Sequence, residues 1–345
     1  MLRLIIAVLL FTSSSYIAKA QNCSPNKAGL PVSRHVQIDT SQGPIFGAIV
    51  RYAAEPDFLK PKEVVLTFDD GPSPRITRSI LQTLDRFCVK ATFFPVGRMA
   101  LTHSSVMREI AEGGHTIGTH TWSHPNNLRK LSRAEFIEEL EKGFASIALA
   151  SGQAIAPFFR FPGLNDDARA LKYLQKRGVA TFSVDVVSED SYTRDADQLV
   201  KTTLSRVTRR NGGILLFHDI KSSTAKALPH ILEGLAKRGF RIVHLTSKFA
   251  LTPLGSYEQD FSRFVEKKRS RRPVSVSMNG LQGTIRPSLE TEPSLYVPPV
   301  TFLTPGRKEI ELASTRNARI ENLTKTISLR GLNGFIDLHD MTKKQ

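Results

Sequence analysis

The sequence predicts an α/β fold: a (β/α) barrel of about seven parallel strands wrapped by helices, with a poorly ordered tail beyond about residue 250. Three observations predict it. Between Glu63 and Leu245, short β-branched or aromatic runs alternate with longer amphipathic stretches, the pattern of repeated βα units around a parallel sheet. The polar residues that could do chemistry gather just after the strand runs, where a parallel barrel keeps its active site. Past residue 250 the regular pattern stops. An open doubly wound sheet is the structural alternative.

Taken in order, the strand runs are Val64–Phe68, Ala91–Val96, Thr116–His120, Phe158–Phe161, Val179–Val184, Gly213–Phe217 and Arg241–Leu245. Helical patterns separate them near Pro74–Phe87, Ser104–Glu112, Ser132–Ala150, Asp167–Arg177, Asp195–Arg209 and Thr224–Arg238. The third helix opens with Ser132-Arg133-Ala134-Glu135, the spacing of a capping box. Residues 21–61 read as an extended lead-in punctuated by Gly and Pro, and residues 62–250 as the barrel domain. The tail, 251–345, begins with a basic run, Arg263–Arg272, which reads first as a solvated linker and second as a polyanion-binding patch. Val274–Met278 followed by Asn279-Gly280 has hairpin alternation and a turn dipeptide. Pro298-Pro299 and Pro305-Gly306 then interrupt any regular pattern, so the tail is expected to be mostly disordered.

Composition narrows the function. With 345 residues, 40% of them apolar, the chain can bury a large core, and 23% charged residues exclude a multi-span membrane protein. The net charge of +16 asks for an anionic neighbour. Residues 1–20 carry Arg3, the apolar run Leu4–Phe11 and Ala18-Lys19-Ala20, a secretory signal expected to be cut near Ala20. That run is too short to span a bilayer, so the mature chain is expected to be an exported monomer without a transmembrane segment, in the periplasm or outside the cell. Export turns the charge away from nucleic acid and toward an anionic cell envelope. Cys23 and Cys88 are the only cysteines; in an oxidising compartment they either pair or stand as two unrelated thiols.

The first strand ends in Asp69-Asp70-Gly71-Pro72. Adjacent residues of an extended chain point opposite ways, so one carboxylate can bind a metal while the other serves as a base; a simple turn is the other reading. The third strand ends in His120-Thr121-Trp122-Ser123-His124, two imidazoles spaced to share one ion. Two histidines and a carboxylate leave coordination positions open, as a catalytic site requires. His115, at the other end of that strand, reads as structural. Arg160-Phe161-Pro162-Gly163, Asp185 and Asp190, and Leu216-Phe217-His218-Asp219 complete the set of polar strand ends.

These motifs, in this order and spacing over about residues 62–250, resemble those of the NodB-homology polysaccharide deacetylases, carbohydrate esterase family four. The resemblance implies a distorted (β/α) barrel and a divalent metal, often zinc, with Co2+ or Ni2+ as alternatives. The implied activity is removal of acetyl groups from chitin oligomers, peptidoglycan or xylan. By the same resemblance Asp69 is the base, and Asp70, His120 and His124 are the metal ligands. His218 is the acid, and Arg160 holds the base. The backbone after Pro162, at Gly163, offers the oxyanion donor, and Leu216 lines the acetyl-methyl pocket. Asp190 best matches the aspartate that tunes the acid, with Asp185 the alternative. Two positions depart from the pattern: Gly163, commonly aromatic, and Ser191, commonly Trp, so side-chain walls that grip a sugar are missing, and Tyr192 is a candidate substitute. The substrate is expected to be an acetylated polysaccharide. Rival readings are a non-catalytic carbohydrate-binding protein on the same barrel and a small-molecule amidase or deacylase.

Overall fold

The computed structural model describes residues 30, 32–55, 57–270, 274–278 and 281–285. The expected secretory signal, Cys23 and the tail beyond Ile285 lie outside the described residues.

The elements in chain order are β1 (Val32–Ile38), β2 (Ile45–Phe46), β3 (Glu63–Asp69), α1 (Pro74–Arg86), β4 (Thr92–Phe94), α2 (Gly97–Thr102), α3 (Ser104–Glu112), β5 (Thr116–Ile117), α4 (Arg133–Ser151), β6 (Phe158–Phe159), α5 (Ala168–Lys176), β7 (Ala180–Phe182), β8 (Val186–Val187), α6 (Ala196–Arg210), β9 (Gly213–His218), α7 (Ser222–Lys237), β10 (Arg241–Ser247), α8 (Gly255–Ser270), β11 (Val274–Met278) and β12 (Leu281–Ile285). Two 3-10 turns, Leu128–Lys130 and Pro162–Leu164, sit in loops that bear on the site. Every predicted strand run and helical pattern has its counterpart.

The barrel is distorted in a specific way. One sheet runs β1-β10-β3-β4-β5, with β9 on the other side of β3 and β8 beside β9; a second runs β2-β7-β6. All pairings in these two sheets are parallel. A single bridge, Thr119 to Phe159, joins them on one side. On the other side, between β7 and β8, the lead-in makes the closure: the Ala48 and Ile49 N–H groups both donate to the Val184 carbonyl, and Ala48 N–H also reaches the Asp185 carboxylate.

The lead-in is thus more than the extended segment expected from sequence. β1 pairs along its length with β10, and Arg34 reaches the buried Glu63 at the start of β3 with a two-pronged ion pair of 2.8 and 2.5 Å. That pair holds the Glu63 carboxyl below its ordinary pKa through the Arg34 hydrogen bond.

The period-2 geometry of strands then sorts side chains. On β3, Val64, Leu66 and Phe68 pack outward against the helices, with Phe68 stacked on Phe93 and Phe217 at centroid distances of 5.1 and 5.6 Å. Val65 joins an inner cluster with Phe94, Phe158, Phe182, Ile214 and Leu216. Thr67 and Asp69 share the inner face with Val65; His218 shares it with Ile214 and Leu216. The register sets Asp69 opposite His218. The barrel floor is therefore apolar and its carboxyl-end rim is polar.

α4 begins with the predicted capping box, Ser132 and Glu135 each bonding the other's backbone N–H. Cys88, after α1, is disulfide-bonded. The basic run overlaps α8, whose Phe261 is buried against Trp122 at 5.1 Å between ring centroids. β11 and β12 form the antiparallel hairpin that the alternation predicts.

Candidate active site

Apart from Asp185, the candidate acid, base and metal ligands singled out from sequence converge beyond the carboxyl ends of β3, β5, β6, β8 and β9. Asp69, 2% exposed, ends β3 facing inward, and Asp70 follows in a left-handed conformation with φ 76°. The Gly71 backbone lies flat on Asp219: a Cβ at Gly71 would come within 2.0 Å of the Asp219 carboxylate, which accepts from Gly71 N–H at 2.9 Å and from the Thr77 hydroxyl at 2.7 Å. Burial pushes the Asp219 pKa up to about 7. This buttress fixes the turn that aims Asp70.

Asp70, His120 and His124 offer ligand atoms that all lie within 4.8 Å of one another. Asp70 Oδ1 is 3.6 Å from His120 Nε2 and 3.4 Å from His124 Nε2, and it is buried without a hydrogen-bond partner. An orphaned buried carboxylate oxygen facing two imidazole nitrogens fits a cation. The tautomer fits as well. His120 Nδ1 lies 2.8 Å from the Arg160 carbonyl and must donate to it, which leaves the Nε2 lone pair toward Asp70. Burial lowers the His120 pKa to about 3, keeping the ring neutral as ligation needs. Thr121 and His124 both have positive φ, 66° and 60°, and the Thr121 hydroxyl accepts the His124 N–H, so the loop returns its second histidine to the first.

On one side of this triad stands a buried pair. Arg160, 0% exposed, donates from Nη1 to Asp69 Oδ1 at 2.8 Å and to Thr67 Oγ1 at 2.7 Å. Its other nitrogens donate to the Phe182 and Ser183 carbonyls, and its guanidinium lies over the Phe94 ring at 4.3 Å. Burial raises the Asp69 pKa against the opposing pull of Arg160. Asp69 Oδ2 remains turned toward the triad, 3.9 Å from His120 Nε2.

On the other side stands His218, with Nε2 4.0 Å from Asp70 Oδ2 and Nδ1 2.7 Å from Asp190 Oδ1. Asp190 Oδ2 accepts from His218 N–H and from the Thr224 hydroxyl, each at 2.6 Å. Burial alone would lower the His218 pKa; the Asp190 hydrogen bond and charge outweigh it, aided by Asp69 and Asp70, and raise it to about 9. Asp185 is elsewhere, accepting from the Ile214 and Ala48 N–H groups and from Arg210. Ser191 Oγ lies 3.3 Å from His218 Nδ1, and Tyr192 beside it is 87% exposed.

Pro162 and Gly163 lie in the 3-10 turn after β6; Gly163 has φ 60° and open space where a side chain would be. Leu216 is buried in the inner cluster under the site. His115 is buried with its pKa lowered to about 3 by burial, its Nδ1 accepting the Ala91 N–H. Sequence reasoning gave no role to Thr67, Thr77, Thr224 or Asp219. The only signal for Asp219 was its place beside His218; hydroxyls one turn into a helix carry none.

The polysaccharide deacetylase family model matches residues 58–182. A peptidoglycan-N-acetylglucosamine deacetylase of Bacillus cereus is 33% identical over 193 residues, 54% of this chain and 68% of that one. The chain belongs to the polysaccharide deacetylase family. Another deacetylase of the family, the peptidoglycan-N-acetylglucosamine deacetylase PgdA of Listeria monocytogenes, is 33% identical over 182 residues, 53% of this chain; the chain spans 38% of that relative's length. A chitooligosaccharide deacetylase of Bradyrhizobium is 29% identical over 213 residues, 58% of this chain and 94% of that one. Among solved structures, the peptidoglycan deacetylase Bd3279 of Bdellovibrio bacteriovorus aligns with a TM-score of 0.58 at 31% identity, covering 65% of this chain and 61% of that one.

Proposed function

We propose that the protein is an exported, metal-dependent hydrolase that removes acetyl groups from an N-acetylated polysaccharide, peptidoglycan or a chitin-like oligomer. One observation supports this above the others: a carboxylate with burial-raised pKa and a histidine with carboxylate-raised pKa flank one three-residue cation site from opposite sides. A base and an acid whose environments push their pKa values in useful directions are what hydrolysis of an amide needs.

Asp70, His120 and His124 would hold one divalent ion, zinc by preference for two imidazoles and a carboxylate, with Co2+ or Ni2+ also suited. When bound, the ion supplies Lewis-acid polarisation of the acetyl carbonyl and acidifies water. Asp69 takes the proton from the attacking water at Oδ2, because Oδ1 is committed to Arg160. Arg160 keeps that carboxylate oriented and opposes the rise that burial imposes on its pKa. The Gly163 N–H, in the 3-10 turn after β6, would be the backbone donor to the developing oxyanion. His218, protonated and held by Asp190, delivers a proton from Nε2 to the departing nitrogen, so that the C–N bond breaks to give acetate and a neutral amine. The net reaction consumes one water per acetyl group.

The signal-like pattern of residues 1–20 and the net charge of +16 support work at an anionic cell envelope. A pair of substitutions tests the roles. Asp69→Asn should abolish turnover and retain metal, whereas His120→Ala should lose both; near-normal turnover in Asp69→Asn would overturn the assignment of the base.

A further inference from the structure

The cleft lacks aromatic walls at Gly163 and Ser191, yet the surface beside Gly163 is densely built. It is built from cations. The segment Asn165–Asp167, just beyond the 3-10 turn after β6, is gripped from three directions. Arg51 of the lead-in donates its backbone N–H to Asp166 Oδ2 at 2.8 Å and sets its guanidinium 3.6 Å from Oδ1. Arg129, on the 3-10 turn that follows His124, donates to the Asp166 carbonyl at 3.2 and 3.0 Å and to Asn165 Oδ1 at 2.8 Å. Arg169, at the start of α5, bonds Asp167 and the Leu131 and Arg129 carbonyls.

The two acidic side chains in this cluster, Asp166 and Asp167, are 5% exposed and turned inward. Nearby Glu135 is folded back on the Ser132 N–H, and Glu138 is paired with Lys142. Arg129 itself bonds only neutral oxygens, and as a residue it is exposed. Lys130 and Arg133, next along the chain, are exposed, and no hydrogen bond or ion pair of their side chains occurs among the described residues. The lip is thus cationic outward, with its acidic side chains turned inward. Its position matters. Arg129 to Asn165 is a bridge between the loop that carries His124 and the loop that carries Pro162 and Gly163, so the cations stand beside two loops that border the candidate site.

We propose that Arg129, Lys130 and Arg133, with Arg51 behind them, form a recognition lip for carboxylate groups on the substrate, and that the substrate class is a carboxylate-bearing N-acetylated glycan rather than a neutral one. This rests on the deacetylase reading for the identity of the cleft and goes beyond it by choosing between its substrates. Arg129 is held by three bonds before any ligand arrives, so ordering it adds little entropic cost on binding. Exposed ion pairs are each worth about 0.2–1 kcal/mol, so two or three acting together give about a tenfold preference, and salt screens it.

The test measures affinity, so it does not depend on turnover. Metal-loaded full-length protein is titrated into fluorescently labelled soluble peptidoglycan strands, and into the same strands after their carboxylates have been amidated. The native strands should bind about tenfold more tightly at low salt, and the gap should close in roughly 1 M salt. Lys130→Glu with Arg133→Glu, which breaks no bond within the protein, should bring the two affinities together; Arg129→Gln should reduce the gap by about threefold. Equal affinity of the wild-type protein for native and amidated strands, or an unchanged gap in the double variant, would overturn the lip. Acetate release from the native and the amidated strands separates the two claims: its absence from both strikes the deacetylase reading and leaves the affinity comparison standing.

Discussion

The pairing of His218 with Asp190 yields the most quantitative expectation. In Asp190→Asn the amide must present its oxygen to the His218 backbone N–H, which can only donate and lies 2.6 Å from Oδ2. The NH2 then faces His218 Nδ1, where Oδ1 stood at 2.7 Å. The ring can no longer hold a proton at Nδ1, the charge that raised its pKa is gone, and burial is left to lower it. The His218 pKa should fall from about 9 to 6.5 or below. At pH 9 the protonated fraction drops from about one half to about one in three hundred, a loss of about a hundredfold, while near pH 6 the two proteins should differ only a few-fold from this cause. A bound divalent ion lowers both values, so the difference between the proteins is the quantity to read. The assay is kcat/KM for acetate release as a function of pH in both proteins. An alkaline limb that stays in place in Asp190→Asn would refute the view that Asp190 keeps His218 charged.

Other expectations follow from the same geometry. The His218 pair should also show in the stability of the metal-free protein: a folded pKa raised above 6.5 contributes stability that is complete below pH 6.5 and lost as pH rises through about 9, at most about 3 kcal/mol by urea unfolding, and Asp190→Asn should flatten that dependence. Zinc at a hundred times its Kd should stabilise the fold by about 2.7 kcal/mol, a rise of about 5–10 °C in Tm, and Asp70→Ala should abolish the rise. Gly71→Ala, whose new methyl would collide with the Asp219 carboxylate, should destabilise the protein by about 2 kcal/mol or more in thermal melts and weaken metal binding in isothermal titration.

Much of the barrel was legible because buried parallel strands leave apolar runs and their helices leave amphipathic ones. β3, Glu63–Asp69, and β9, Gly213–His218, are each within a residue or so of the predicted runs. What escaped was short or stabilised from far away. β8 has two residues and α2 six, below the length at which periodicity can be read. β1 alternates correctly, but Arg34 stands on its inward face; the partner that justifies it, Glu63, is 29 residues away. At the site, Asp69-Asp70, His120, His124 and His218 could be singled out as polar residues at strand ends, and the resemblance supplied the role proposed for each. The choice of Asp190 over Asp185 could not, because it depends on β8 turning one carboxylate toward His218 and leaving the other to cap Ile214. The Asp219 buttress was likewise invisible, since it works through a backbone N–H.

The central claim is that a cation held by Asp70, His120 and His124 serves hydrolysis of an acetyl amide on a glycan. It is tested most directly by measuring acetate and free amine released from an N-acetylglucosamine oligomer by the zinc-loaded protein, by the chelated protein, and after zinc is restored. The account predicts equimolar acetate and amine, loss of both on chelation, and their return with zinc. Absence of acetate from the zinc-loaded protein on this oligomer and on peptidoglycan alike, or release that chelation leaves untouched, would contradict it.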